Sequence, residues 1–174
     1  TKHMKKTVII FLVLVCFAIS AMAQKETKKF SAGFGLEAGA PVGSYSNLYK
    51  FDMGLTVRFS YHVGPGFVTL TTGAIGFLPK KIEGQPEKVG LQIPVRTGYK
   101  YIIHQHFFVM GEIGFVSTKT YYGSQGKVQS ITQGSFIAAP SVGVQFNAFE
   151  ISIRYETHPG DGGGIIGPRI GFNF

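Results

Sequence analysis

Several small groups of residues in this chain have types and spacings that could do chemistry. Ser60 and His62 stand two apart, so on an extended chain they share a face as a nucleophile and its base would. No acid is placed to orient the imidazole, and a serine beside a turn histidine reads as structure. His104 and His106 form an H-x-H pair that could hold zinc or nickel, but a third ligand is missing. Asp161, Gly162, Gly163 and Gly164 resemble a phosphate or calcium loop, yet one acid with no following helix supplies no ligand set. Glu112, among Arg96, Arg154 and Arg169, could be a functional carboxylate; a network of ion pairs is the better reading. The expected catalytic, cofactor and metal sites are therefore none, and the chain reads as a non-enzyme.

The elements that carry these residues are strands. Period-two alternation dominates from Phe30 to Phe174, and helical periodicity is absent. Eight segments follow, at residues 30–40, 51–62, 67–78, 89–102, 107–116, 135–146, 149–156 and 165–174. Most are close to the 9–11 residues with which a tilted strand crosses a bilayer. Their connections alternate in length. Long links fall at 41–50, 79–88, 117–134 and 157–164, and tight ones at 63–66, 103–106 and 147–148. An up-and-down barrel with an even strand count sorts its loops in this way, with short turns at one end and long loops at the other. The expected fold is all-β, an eight-stranded antiparallel up-and-down transmembrane barrel.

A chain of 174 residues fits one domain, and its 15% charged residues, 24 glycines and 14% aromatics without tryptophan suit a sheet with a tight interior and a greasy exterior. The net charge is +8, of which Lys2, Lys5 and Lys6 contribute three. These lysines flank or open a leader. Met4, Lys5 and Lys6 form a basic start, residues 8–19 an apolar run, and Ala21, Met22 and Ala23 an A-x-A cleavage site. Residues 1–23 are thus expected to be upstream residues and a signal peptide, 24–29 a short periplasmic segment, and 30–174 the barrel. Cys16, the one cysteine, lies in the leader behind the bulky Val15, which argues against lipid attachment. Nucleic acid is a poor reading and no such partner is expected, because the leader exports the chain and no basic cluster alternates with exposed aromatics along it.

Alternation does not say which face points inward, but the chemistry of the two faces does. The apolar faces of the seven clear strands carry no charge, and their aromatics gather near strand ends. Phe59, Tyr61, Tyr99, Tyr101, Phe107 and Phe146 fall near the short turns; Phe51, Phe115, Phe136 and Tyr155 fall near the long loops, as two interfacial girdles would. The opposite faces mix glycine and serine with compensating charges. Glu37, Asp52, Glu112, Glu150 and Glu156 stand there with Arg58, Arg96, Lys100, Arg154 and Arg169. These are expected to pair off in a filled lumen, with the apolar face toward lipid. Pro94, Pro140 and Pro168 lie within strands, where a closed barrel has no edge to hide a missing N–H, so bulges or water-satisfied positions are expected. In the long loops, Lys80, Lys81, Lys88, Lys119 and Lys127 gather with Tyr121 and Tyr122, a basic and aromatic surface for anionic glycans or lipopolysaccharide phosphates.

The segments GLEAGAPVGSYSNLYKFDMGLTVRFSY and VGLQIPVRTGYKYII, with the closing IGPRIGFNF, resemble the small outer-membrane β-barrel proteins, OmpX-like barrels and the transmembrane part of OmpA-like proteins. The resemblance implies location in the cell outer membrane, contact with its lipid and lipopolysaccharide, and a monomer without cofactors. It also implies a C-terminal signal for the barrel-assembly machinery, which maps to Ile170, Phe172 and Phe174. The expected role is structural, or surface interaction and adhesion through the long loops. A narrow porin-like channel, a lipid-modifying enzyme and a soluble periplasmic lipid-binding barrel are the alternatives.

Overall fold

The computed structural model describes residues 29–80, 88–124, 127–160 and 162–174, with backbone alone at 88–89, 122–124 and 127–129. The leader, residues 24–28, Lys81 and Asp161 lie outside the described residues. Eight strands follow one another: β1 (Phe30–Gly43), β2 (Tyr49–Val63), β3 (Gly66–Pro79), β4 (Lys88–Ile102), β5 (Phe107–Ser124), β6 (Lys127–Phe146), β7 (Phe149–His158) and β8 (Gly163–Asn173). Each pairs antiparallel with its sequence neighbour, and β1 pairs with β8 to close the barrel. One short 3₁₀ helix, η1 (Ser44–Asn47), sits between β1 and β2. Among the described residues no helix is long and apolar enough to cross a membrane; crossing by strands is another matter.

Side-chain direction follows the alternation. Leu36, Leu55, Val95, Ile113, Ile153 and Phe172 face outward and are exposed. Arg58, Arg96 and Arg169, at the other parity, are each no more than 1% exposed. A water-soluble barrel would show the reverse, because exposing this much apolar surface to water is unfavourable. The expected aromatics also point outward at both ends: Tyr61, Tyr101, Phe107, Phe146 and Phe149 near the short turns, and Phe51, Phe115, Phe136 and Tyr155 near the long-loop end.

The short turns are as tight as the sequence implied. Gly64 (φ 60°) and Asn147 (φ 50°) supply the left-handed backbone that such reversals require. The third long link is different. Residues 117–134 are mostly not loop, because β5 and β6 remain paired out to Ser124↔Lys127. Lys119, Tyr121, Tyr122 and Lys127 therefore stand on strands. The physical reason is that apolar alternation fades there, while Thr118, Thr120, Tyr121, Val128 and Ile131 still favour extended backbone. The β6–β7 ladder ends at Ala138↔Thr157, so residues 127–137 of β6 run beyond β7. The other long links shrink at their ends in the same way, with β1 reaching Gly43 and β7 reaching His158.

The three strand prolines are accommodated without bulges. Register is continuous past each, but two residue pairs drop out of one flanking ladder. At Pro94 the β3–β4 ladder runs from Thr72↔Val95 to Ile75↔Gln92. At Pro140 the β6–β7 ladder runs from Ala138↔Thr157 to Ser141↔Arg154. At Pro168 the β1–β8 ladder runs from Glu37↔Arg169 to Ala40↔Ile166. The opposite ladder persists through Pro94↔Val116, Gly111↔Pro140 and Ile153↔Pro168. The missing N–H thus opens one seam locally while the other holds the strand in place. The register shift, at Tyr49 and Phe51 in the β2–β3 ladder, lies away from all three.

Candidate functional site

The lumen is built in layers. Its middle is a charge network, anchored by Glu37 on β1. The Glu37 carboxylate accepts from Arg96 Nη2 at 2.9 and 3.1 Å and from Arg154 Nη1, and Arg169 Nε stands 3.4 Å away. The hydroxyl of Thr56 donates to the same carboxylate at 3.0 Å. Arg96 also donates to Glu156 at 2.8 Å, which ties β4 to β7 across the interior. Glu150 forms the second hub, accepting from Arg58 at 2.7 Å, Arg169 at 2.9 Å and Lys100 at 2.5 Å. Glu112 meets Arg58 rather than Arg96, Arg154 or Arg169. Arg58 Nε donates to Thr71 Oγ1 at 3.0 Å, Thr71 donates on to Glu112 at 2.6 Å, and Arg58 Nη2 lies 3.6 Å from the carboxylate.

Nine of the ten expected lumen charges join this network, and Asp52 does not. It is 1% exposed, no ion pair reaches it among the described residues, and its Oδ1 lacks a hydrogen-bond partner. It stands at Gly39, toward the long-loop end, where a side chain in place of that glycine would meet its carboxylate. The glycines of the inner face make room for the large heads. An added Cβ at Gly35 would lie 2.5 Å from the Arg169 guanidinium, and one at Gly171 would lie 2.4 Å from it. Close interlocking of small and large residues is what fills a barrel of this size.

Buried apolar residues flank the network at both ends, a feature that alternation did not reveal because they share the parity of the charges. Phe108 and Met110 are buried toward the short turns, and Lys100 Nζ lies 4.3 Å from the centre of the Phe108 ring. Toward the long loops, Ile75, Phe77 and Ile165 form a cluster against which Tyr45 and Tyr49 pack. Val116 and Ile137 are buried at the same end. The signal was available in sequence as bulky residues at inward positions, such as Ile75 and Phe77 among the threonines and glycines of β3.

Helix η1 folds over this cluster. Gly43, with φ 63°, begins it, and Tyr45 reaches 3.1 Å from Nδ1 of the buried His158. His158 Nε2 in turn lies 3.2 Å from Glu156 Oε1, so the plug connects to the charge network. Neither Tyr45 nor His158 stood out among the candidates, because they are 113 residues apart and meet only once the barrel closes.

The other candidates separate. Ser60 is buried and His62 is exposed, with its ring edge-on to Phe67 at 5.1 Å. His106 lies over Phe146 at 4.8 Å, and among the described residues no three potential ligands converge on a metal position. At the long-loop end Lys119 is exposed, with its Nζ 5.2 Å from the Tyr121 ring centre. Lys80 donates instead to the carbonyl of Ser46 at 2.6 Å and so braces η1. At the C-terminus Ile170 and Phe172 face outward, and Phe174 exchanges backbone hydrogen bonds with Ala32 at 2.8 and 3.2 Å.

No family model and no curated protein sequence matches this chain. Solved structures do match in fold. The attachment invasion locus protein Ail of Yersinia pestis superposes with a TM-score of 0.61 at 16% identity, over 83% of this chain and 97% of that one. Ail in complex with the heparin analogue sucrose octasulfate gives 0.63 at the same identity and coverage. The N-terminal β-barrel domain of Pseudomonas aeruginosa OprF gives 0.57 at 10% identity, over 84% of this chain and 98% of that one. The chain thus has the fold of the small eight-stranded outer-membrane barrels.

Proposed function

We propose that this protein is an integral outer-membrane barrel that conducts no solute, carries out no catalysis, and acts at the cell surface by contacting anionic glycans. The observation that carries the reading is the layered lumen. Ion pairs between β1, β4, β7 and β8 occupy its middle and buried apolar residues flank both ends, which supports a filled lumen over a through-channel. Activity then belongs to the long-loop end, where the β5–β6 hairpin runs beyond β7 and presents Lys119 beside Tyr121. Lys88 and Lys127 open β4 and β6 at the same end, Lys81 follows β3 in the sequence, and their charge makes this part of the chain basic. Binding of a sulfated ligand by a barrel of this fold is known for Ail, whose complex with sucrose octasulfate supports the same class of partner here. Ile170 and Phe172, on the outer face of the closing strand, and Phe174, whose ring lies against that of Phe34, serve as the assembly signal in this reading.

Retention of the detergent-folded protein on immobilised heparin and on lipopolysaccharide tests it. Binding should fall steeply with added salt. Replacing Lys81, Lys88, Lys119 and Lys127 together by glutamine should weaken it at least about tenfold, equivalent to roughly 1.4 kcal/mol. Retention that ignores both salt and the four substitutions would rule the reading out.

A further inference from the structure

We propose that the outer face of β5–β7, at its short-turn end, is a binding site for one anionic phospholipid, with an acyl chain in an apolar groove and the phosphate at a histidine-bearing turn. The inference rests on the reading of the chain as an outer-membrane barrel, whose short turns face the periplasm. The groove measures about 420 Å³, within the roughly 300–1,000 Å³ of ligand sites. Phe107 and Val109 of β5, Val142 and Val144 of β6, and Ile151 and Ile153 of β7 line it, and no charged side chain does. Register sets them in two rows, Phe107–Val144–Ile151 and Val109–Val142–Ile153. The next outward pair toward the turns is Phe146↔Phe149, both exposed and bulkier than the valines beside them.

Two observations set the chemistry of the headgroup. Ile103 also lines the groove, and it opens the turn in which His104 and His106 are exposed. The His106 ring lies 4.8 Å from that of the outward-facing Phe146, so this imidazole stands on the outer face beside the groove. Imidazole N–H groups donate to phosphate oxygens. The second observation is the charge of this rim. Among the described residues the acid at the short-turn end is Glu150, and it is buried in the lumen against Arg58, Lys100 and Arg169. Residues 24–28, outside the described ones, add two lysines and one glutamate to the chain before β1. A zwitterionic headgroup would bring an ammonium with no free carboxylate to meet, whereas one that carries a phosphate and hydroxyls, as in phosphatidylglycerol, matches the rim. A second copy inserted the same way would bring the same turns and no counter-charge. Another groove on the outer face, of about 370 Å³ against Leu36, Leu55 and Ile170, lies mid-strand with no histidine in its lining and serves as the reference.

Photo-crosslinking tests this with the protein folded in phosphatidylcholine vesicles. The vesicles are doped in parallel with phosphatidylglycerol or phosphatidylcholine carrying the same photoactivatable acyl chain. Peptide mapping then reads the ratio of anionic to zwitterionic labelling at the β5–β7 groove and at the reference groove. The ratio at β5–β7 should exceed that at the reference at least about fivefold, and His104→Ala with His106→Ala should bring the two together. Val144→Phe, which fills the groove and leaves the turn intact, should lower anionic labelling there by a similar factor. Equal ratios at the two grooves would overturn the proposal, as would a ratio that survives the histidine substitutions in a folded variant. Absence of labelling at β5–β7 by either probe would overturn it too, because protein rather than lipid would then cover the groove. A protein that shows no heat-shifted gel band after incorporation into the vesicles would instead sink the membrane reading, and this inference with it.

Discussion

Glu37 is the residue on which most depends. It accepts from Arg96 and Arg154, has Arg169 beside it, and is buried, so Glu37→Gln leaves three guanidinium groups short of a counter-charge. The expected loss is about 3–5 kcal/mol, read as a lower urea midpoint for the folded barrel in detergent or lipid. Asp52→Asn provides the contrast. Asp52 is equally buried but engages no ion pair among the described residues, so its replacement should change stability by less than about 1 kcal/mol. Equal losses from the two would show that burial alone, not pairing, sets the cost. At this scale the sequence revealed membership and concealed partnership. Parity placed all ten charges on the inner face, but Glu37 and Arg154 lie 117 residues apart, and only the closed sheet decides that they meet. Asp52 shared that parity and still stands apart, because depth along the barrel is not written in alternation.

Elements show a similar division between what the pattern carries and what it does not. The strands over 51–62 and 149–156 were legible because an apolar outer face and a packed polar lumen force strict alternation. The paired extension of β5 and β6 was hidden, because toward the tip of that hairpin the contrast between the two faces disappears while the backbone ladder continues. The prolines were visible as a difficulty, and the structure resolves it by opening one ladder at each. Pro140→Ala should restore an N–H to the β6–β7 seam and raise the urea midpoint, by about 0.5–1.5 kcal/mol for the regained bond. An unchanged or lowered midpoint would mean that the strand needs the proline's fixed φ. Helix η1 depends on its tether in the same measurable way. Tyr45→Phe removes the hydroxyl near His158 and keeps the ring, so amide exchange at Ser44–Asn47 should accelerate about tenfold while the strands stay protected.

For the whole molecule, closure and filling predict two behaviours. The folded protein should migrate faster than its boiled form on detergent gels, since every strand of the closed barrel has a paired neighbour on each side. Planar bilayers containing it should show no conductance steps, and a reproducible step would mean that the ion pairs leave a continuous water path. The distribution of those ion pairs also bears on how the molecule is made. The carboxylate of the first strand is met from the fourth, seventh and eighth, and Glu150 on the seventh is met from the second, fourth and eighth. A sheet inserted with its seam still open would hold guanidinium groups in hydrocarbon with no carboxylate in reach. Such an intermediate is too costly to accumulate, and the last pairing event releases the strain of all the earlier ones together. Insertion into liposomes should accordingly be a single kinetic phase whose rate falls in Glu37→Gln. The barrel is thereby its own proofreader: a chain that has not yet joined its two ends has nowhere stable to wait.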